Sequence, residues 1–266
     1  MEHTTIGQVA SWLDATFHPE FQEDYDNAGF LIGQRQEPCT GILVALDLTP
    51  AVADEAIEQG LNLIVTHHPF IFGGLKRITS DNEAGRTVIS LIRHGIAVYA
   101  AHTNLDNLPW GVNGILSEKL GLQNTHILKP MDQENGAGMV GELPEPMEAN
   151  AFLQKVKEVL GIPTLRTSPL TTHHSSLTTI TRVALCGGSG ASFIGDALAA
   201  KADIYITADL KYHDFQRAEG RIILVDAGHY ETEQFAKEIF YRAISEKFSN
   251  FACRISTRQE SLVQYI

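Results

Sequence analysis

The sequence predicts an α/β protein built from two similar lobes. Three observations predict it. Helix-period and strand-period segments alternate almost throughout the chain. The order of segments in residues 1–123 recurs in residues 182–266, with 124–181 as a connecting segment. Three buried-looking strands also open directly into histidine and carboxylate, so chemistry collects at strand ends, where open α/β sheets bind ligands.

Each element has a local reason. Thr5 is a cap for a helix over Ile6 to about Phe17, with Ile6, Val9, Ala10, Leu13 and Phe17 on one stripe. Gly41 to Leu46 reads as a buried strand. Pro50 to Gln59 reads as a helix capped by Thr49 or Asp47 and stopped by Gly60. Leu61 to Thr66 is the next strand, Asn82 to His94 a helix ended by Gly95, and Ile96 to Ala101 a strand. A loop and a helix from about Val112 to Leu120 complete the first lobe.

In the connecting segment, a strand is expected near Met139 to Leu143 and a helix near Glu148 to Leu160. The polar run 171–176, including His173 and His174, reads as a mobile surface loop. The second lobe repeats the first: Val183-Ala184-Leu185 resembles Val44-Ala45-Leu46. A helix (Ser192 to Lys201), the strand Asp203 to Thr207, a helix near Tyr212 to Glu219 and the strand Arg221 to Val225 follow. His102 and Asp106 after the last strand of the first lobe then correspond to His229 and Glu233, at the same four-residue spacing, in the second.

Composition bounds the function. Hydrophobic content of 44% and charged content of 20% suit a globular protein with a full core, and a net charge of −12 argues against broad phosphate neutralisation on nucleic acid. Cys39, Cys186 and Cys253 are too widely spaced for a thiolate zinc site. No apolar run reaches the roughly 18–20 residues of a membrane-spanning helix, so a cytoplasmic protein without membrane contact is expected.

The strand-end clusters carry the chemistry. Imidazole and carboxylate together suit first-row divalent ions. His67 and His68 are adjacent, so on an extended strand they would point apart; at a strand end each can serve a different ion, which argues for two metals. Asp106 and Glu233 complete or bridge the pair. Glu233 falls in the first turn of a helix starting near Tyr230, close to His229, whereas Glu231 points elsewhere. Two ions about 3.5–4 Å apart suit hydrolysis of phosphate esters, amides or ring C–N bonds.

For His102, a substrate contact, a partner to a ligand and a ligand are all open readings. His213 lies where the second lobe repeats the His67-His68 position, making it a candidate for proton transfer or phosphate contact, with an ordinary surface loop as the alternative. His3, His18, His94 and His126 read as surface or core histidines. The cluster Cys186-Gly187-Gly188-Ser189-Gly190 has backbone amides that suit an anion, or glycines needed only for a tight turn.

Taken in order, Asp26-Asn27-Ala28-Gly29-Phe30, Thr66-His67-His68-Pro69, His102-Thr103-Asn104-Leu105-Asp106, Cys186-Gly187-Gly188-Ser189-Gly190, Thr207-Ala208-Asp209 and Gly228-His229-Tyr230-Glu231-Thr232-Glu233 resemble the GTP cyclohydrolase I type 2 homologue (Nif3-like) family. The resemblance implies that His67, His68, Asp106, His229 and Glu233 ligate two divalent ions (Zn, Mn, Fe or Co) in a cleft between the lobes. It also implies a toroidal homohexamer of the compact form, without a full inserted domain. The expected function is a dinuclear metal-dependent hydrolase acting through metal-bound water on a nucleotide-like or phosphorylated small molecule. The alternative is a non-catalytic metal-binding, metal-delivery or scaffold protein using the same site.

Overall fold

The structure, a computed structural model, describes residues 3–170, 178–259 and 261–266. Its contacts define two compact units: Met1–Leu105 with Ala236–Glu260, and Asp106–Phe235 with Ser261–Ile266.

The first unit opens with α1 (Ile6–Phe17), whose expected stripe is fully buried. Thr5 and Gln8 cap it reciprocally: Gln8 N–H donates to Thr5 Oγ1, and Thr5 N–H donates to Gln8 Oε1. The strands β1 (Gly29–Ile32) and β2 (Gly41–Ala45) follow. Helix α2 (Pro50–Gln59) is capped by Thr49 rather than Asp47, with Pro50 in its first turn and Gly60 left-handed at its end. Next come β3 (Leu63–Thr66), α3 (Glu83–Arg93), β4 (Ala97–Ala100) and a short helix, α4 (Thr103–Asp106), where a loop is expected from sequence.

The strands β2, β3 and β4 are parallel neighbours, and every residue in them is buried. That explains their continuous apolar runs, since both faces of the sheet are covered. β1 closes one edge antiparallel to β4. One face packs Leu43, Ile64 and Val98 against Val52, Ala56, Val88 and Leu91 of α2 and α3. A bilayer-length apolar helix does not occur among the described residues.

The second unit contains α5 (Val112–Leu120), β5 (Gln123–Pro130), β6 (Gly136–Glu148), α6 (Ala149–Leu160), β7 (Arg166–Thr167), β8 (Thr179–Ser189), α7 (Ile194–Ala199), β9 (Ile204–Ala208), β10 (Ile223–Asp226) and α8 (His229–Glu233). Its sheet runs β5-β6-β8-β9-β10-β7. Here too three successive strands, β8, β9 and β10, are parallel neighbours, with an antiparallel strand, β7, beyond the third. The chain then returns to the first unit as α9 (Ala236–Lys247) and β11 (Ala252–Ile255), which adds to β2 in parallel.

Several expectations need correction. The described residues from 124 to 170 do more than connect: β5, β6 and β7 are strands of the second sheet. The unit divisions fall at 105/106, 235/236 and 260/261 rather than at 123 and 181, because α5 packs on β6 and β8 while α9 and β11 belong to the first unit. The expected strand Met139 to Leu143 is the middle of a 13-residue strand whose pairing shifts between Glu142 and Met147, where Pro144 and Pro146 withhold their donors. The expected helix Tyr212 to Glu219 is a single 3₁₀ turn, Phe215–Ala218, ended by Glu219 in the left-handed region. The expected helix Ser192 to Lys201 is a 3₁₀ turn, Ala191–Phe193, leading into α7.

Candidate metal centre

In the first unit, donors collect past the carboxyl ends of the parallel strands. At the end of β3 the amides of His67 and His68 both donate to Leu46 O, at 3.1 and 2.9 Å. Sharing one acceptor breaks the extended ladder, so the two side chains do not splay as they would within a strand. Their ring centroids lie 5.0 Å apart, with His102 at 5.3 Å from His67 and 5.4 Å from His68. One nitrogen from each of the three rings lies within 4.8 Å of the others.

Each of these rings is held through Nδ1 by an oxygen. His67 Nδ1 donates to Ala101 O at 2.9 Å, His68 Nδ1 to Asp47 Oδ1 at 2.6 Å, and His102 Nδ1 to Asp26 Oδ1 at 2.8 Å. A carbonyl or carboxylate oxygen only accepts, so these contacts put the proton on Nδ1 and the donor lone pair on Nε2. Ligating imidazoles are commonly oriented in this way. The Asp26 side chain is fully buried and also accepts from Thr103 N–H at 3.0 Å. Burial pulls its carboxyl upward, but the hydrogen bonds from His102 and Thr103 outweigh that and hold it at about 2.

In the second unit, β10 leads into α8, which begins at His229 itself, one residue before the expected start. Its one full turn brings His229 Nε2 to 3.0 Å from Glu233 Oε2, while Nδ1 lies 2.7 Å from Asp209 Oδ2. With a carboxylate at each nitrogen, and the Glu233 hydrogen bond the main cause, His229 is pushed up to about 9 in the metal-free protein. Asp209 sits just past β9 at φ +58°, a left-handed conformation uncommon for a side-chain-bearing residue. Carboxylate oxygens of Asp106 and Glu233 lie within 4.8 Å of each other.

The glycine cluster serves this carboxylate pair. Gly188 has φ +63°, and a Cβ there would lie 2.0 Å from Glu233 Oε1. The Gly187 and Gly188 amides donate to Asn113 Oδ1 at 2.8 Å and Thr232 Oγ1 at 3.0 Å. Asn113 Nδ2 in turn donates to the Asp106 carbonyl. These two amides therefore tie α5 and α8 to β8 instead of cradling an anion, and the steric reading of the glycines holds. The neighbouring Cys186 thiol is pushed up by burial first, then by Asp106 and Glu233, so it is no thiolate donor.

Other candidates fall elsewhere. His213 is exposed on the turn after β9, edge-on to Tyr212, and belongs to no cluster of three or more metal-type donors among the described residues. Glu231 is buried and accepts from Ser261 at 3.3 Å, away from Glu233 as expected. His173 and His174 lie outside the described residues. A cavity of about 720 Å³ in the first unit is lined by Ile32, Leu61, Asn62, Ile92, Gly95 and Ile96, at the amino ends of β3 and β4, and so opens opposite to the histidines. Sequence reasoning did not assign the roles of Asp26, Asp47 and Asp209. The signal for the last two is that each follows a buried strand directly, as the histidines do.

One unit gathers three imidazoles, and in the other Glu233 lies against His229 and near Asp106, a donor chemistry that fits borderline divalent ions. A sequence model of the family described as Duf34/NIF3 (NGG1p interacting factor 3) matches residues 4–261. The chain belongs to the DUF34/NIF3 family. Within that family it is 39% identical over 218 residues to a GTP cyclohydrolase 1 type 2 homolog of Clostridium perfringens, covering 80% of each chain. It is 30% identical over 252 residues to a NIF3 homolog protein of Schizosaccharomyces pombe, covering 89% of this chain and 87% of the relative. The crystal structure of a Staphylococcus aureus hypothetical protein superposes with a TM-score of 0.91 at 31% identity, covering all of both chains. DUF34/NIF3 membership agrees with the resemblance read from the ordered motifs.

Proposed function

We propose that this DUF34/NIF3 protein is a divalent-metal-dependent hydrolase of nucleotide-like or phosphorylated small molecules. In this reading His67, His68, Asp106, His229 and Glu233 hold two ions. One observation carries it: His67, His68 and His229 each have Nδ1 engaged by an oxygen acceptor, which orients Nε2 as the metal-binding atom. A pair of such ions supplies Lewis acidity and a water activated near neutral pH.

The protein's own groups do the rest. Asp47 and Asp209 hold the His68 and His229 rings in place. His102, fixed by Asp26 beside His67 and His68, presents Nε2 to a substrate and exchanges a proton there. His213, on an exposed turn, contacts a substrate phosphate or relays a proton from solvent. The names of the curated relatives support a nucleotide-like substrate. Assembly as a ring of six copies belongs to the same proposal and is checked by native mass measurement.

The test has two parts. Elemental analysis of purified protein is expected to give two equivalents of metal per chain, falling in both Asp106→Ala and Glu233→Ala while circular dichroism stays unchanged. Turnover is then screened on nucleotides, phosphodiesters and cyclic amides with Mn, Zn, Fe and Co. Unchanged stoichiometry in both variants removes the ligand assignment. Bound metal without turnover on any substrate replaces the hydrolase with a metal-binding protein.

A further inference from the structure

Two exposed aromatic rings stand beside the three-histidine cluster of the first unit. Tyr25 is 65% exposed and Phe72 48% exposed. Their centroids lie 6.3 Å apart at an interplanar angle of 52°, and Phe72 meets His102 edge-on at 6.0 Å. Singly exposed apolar residues are ordinary on a protein surface. This pair is different because a shared frame builds it.

The frame joins two loops. Asp26, next to Tyr25, holds both His102 and Thr103, and Asn27 Nδ2 donates to the carbonyl of Ile71, next to Phe72. Ala28 N–H donates to Gln22 Oε1, closing the first loop on itself. In the second loop, Phe70 and Ile71 pack partly buried against the hydrophobic core, while Phe72 is turned outward. Hydrogen bonds at the residues next to Tyr25 and Phe72 thus hold both loops beside His102, and two large apolar side chains are kept exposed while Phe70 and Ile71 turn toward the core.

We infer that Tyr25 and Phe72 form an angled shelf that receives a planar heteroaromatic ring of the substrate and sets it beside His102. This deepens the function proposed above and rests on the histidine cluster facing substrate. A flat ring offset-stacked on one aromatic face, an arrangement that aromatic quadrupoles favour, faces the other ring at a tilt of 52°. Stacking accepts any base because every base has a π-face. The shelf therefore selects for a planar ring without selecting which one, and an aliphatic sugar phosphate gains nothing from it.

The experiment is calorimetric titration of the full chain, metal-loaded and chelator-treated, with adenosine and guanosine monophosphates and with ribose 5-phosphate as the ring-less control. Both nucleotides are expected to bind at least about tenfold more tightly than ribose 5-phosphate. Tyr25→Ala and Phe72→Ala are each expected to weaken nucleotide binding about 5- to 150-fold, the range of single aromatic stacking contacts. Phe72→Tyr keeps a π-face and is expected to restore binding, which separates stacking from misfolding. Equal affinity for nucleotide and sugar phosphate, or unchanged nucleotide affinity in both alanine variants, overturns the inference. So does a change of native mass in those variants with nucleotide binding unmoved, which would place the rings between copies. If metal content proves nil but Phe72→Ala still weakens nucleotide binding, the metal reading fails and the shelf stands.

Discussion

Asp47 Oδ1 lies 2.6 Å from His68 Nδ1, and its Oδ2 accepts from Gln259 Nε2 at 3.1 Å. Gln259 Oε1 also accepts from Leu46 N–H, so one amide side chain braces both the carboxylate and the strand end that carries it. In the second unit Asp209 stands to His229 as Asp47 does to His68. Strand-end aspartate holding a histidine by its inner nitrogen is thus a device used in both units.

Removing that device is expected to loosen metal without unfolding the chain. Asp47→Ala should weaken metal binding by about 10- to 100-fold, the usual effect of losing a carboxylate behind a ligating imidazole. Titration against a competing chelator, with thermal unfolding as control, measures it. Wild-type affinity in Asp47→Ala would show that the brace does not matter to the donor.

Gly188→Ala should be far more damaging than an ordinary surface substitution. The new Cβ would meet Glu233 Oε1 at 2.0 Å, and the backbone is at φ +63°. The strain is expected to cost about 1–3 kcal/mol and to displace the Glu233 carboxylate. Urea unfolding and metal analysis read the two effects separately. A variant with wild-type stability and wild-type metal content contradicts this account.

Asp26 gives an acid-side dependence. Its folded pKa of about 2 lies below the unfolded value of roughly 3.9, so its contribution is fully present above about pH 4 and is lost as pH falls through about 2. The contribution is on the order of 2–3 kcal/mol. Asp26→Asn should remove the corresponding slope from stability measured between pH 4 and pH 2. Parallel curves for the two proteins would sink the assignment.

His229 acts on the alkaline side, with the opposite sign. Its folded pKa in the metal-free protein, about 9, lies above the unfolded value of roughly 6.5. The imidazolium therefore stabilises the metal-free chain below about pH 6.5, and that contribution disappears as pH rises through about 9. A metal taking Nε2 must expel this proton, so binding at pH 7–8 should release about one proton from His229 and weaken as pH falls. Calorimetry in buffers of different ionisation enthalpy counts the protons. Binding heats that do not vary with buffer would contradict proton release.

Much of this was legible in the sequence where local signals and burial agree. Thr5 with Gln8, Thr49 with Pro50 and Gly60, and the apolar runs of β2, β3 and β4 specify their elements within a few residues of chain. The strand-end position of His67, His68, His102 and His229 was legible for the same reason. The role of Asp26 was not, because its bond to His102 spans 76 residues and nothing in its own neighbourhood signals burial. Nor was the sheet edge at β11: Ala252–Ile255 is a short, partly exposed strand whose place depends on pairing with β2, some 210 residues earlier in the chain. At the helix expected over Tyr212 to Glu219, the Lys211 N–H donates to the Asp214 carboxylate, a local side-chain bond that accompanies a turn there.

That late strand has a consequence for biosynthesis. While the ribosome is still making residues 106–235, β2 has no neighbour on the side that β11 will occupy, and the backbone groups of Ile42, Leu43 and Val44 that will pair with it form an open edge. The buried Glu55 carboxylate likewise awaits Ser256 and Thr257, which later donate to it. The first unit is started before residues 106–235 and completed only after them, so a nascent or truncated chain lacking residues 236–260 carries a bare strand edge, the kind of surface that chaperones and aggregates both recognise.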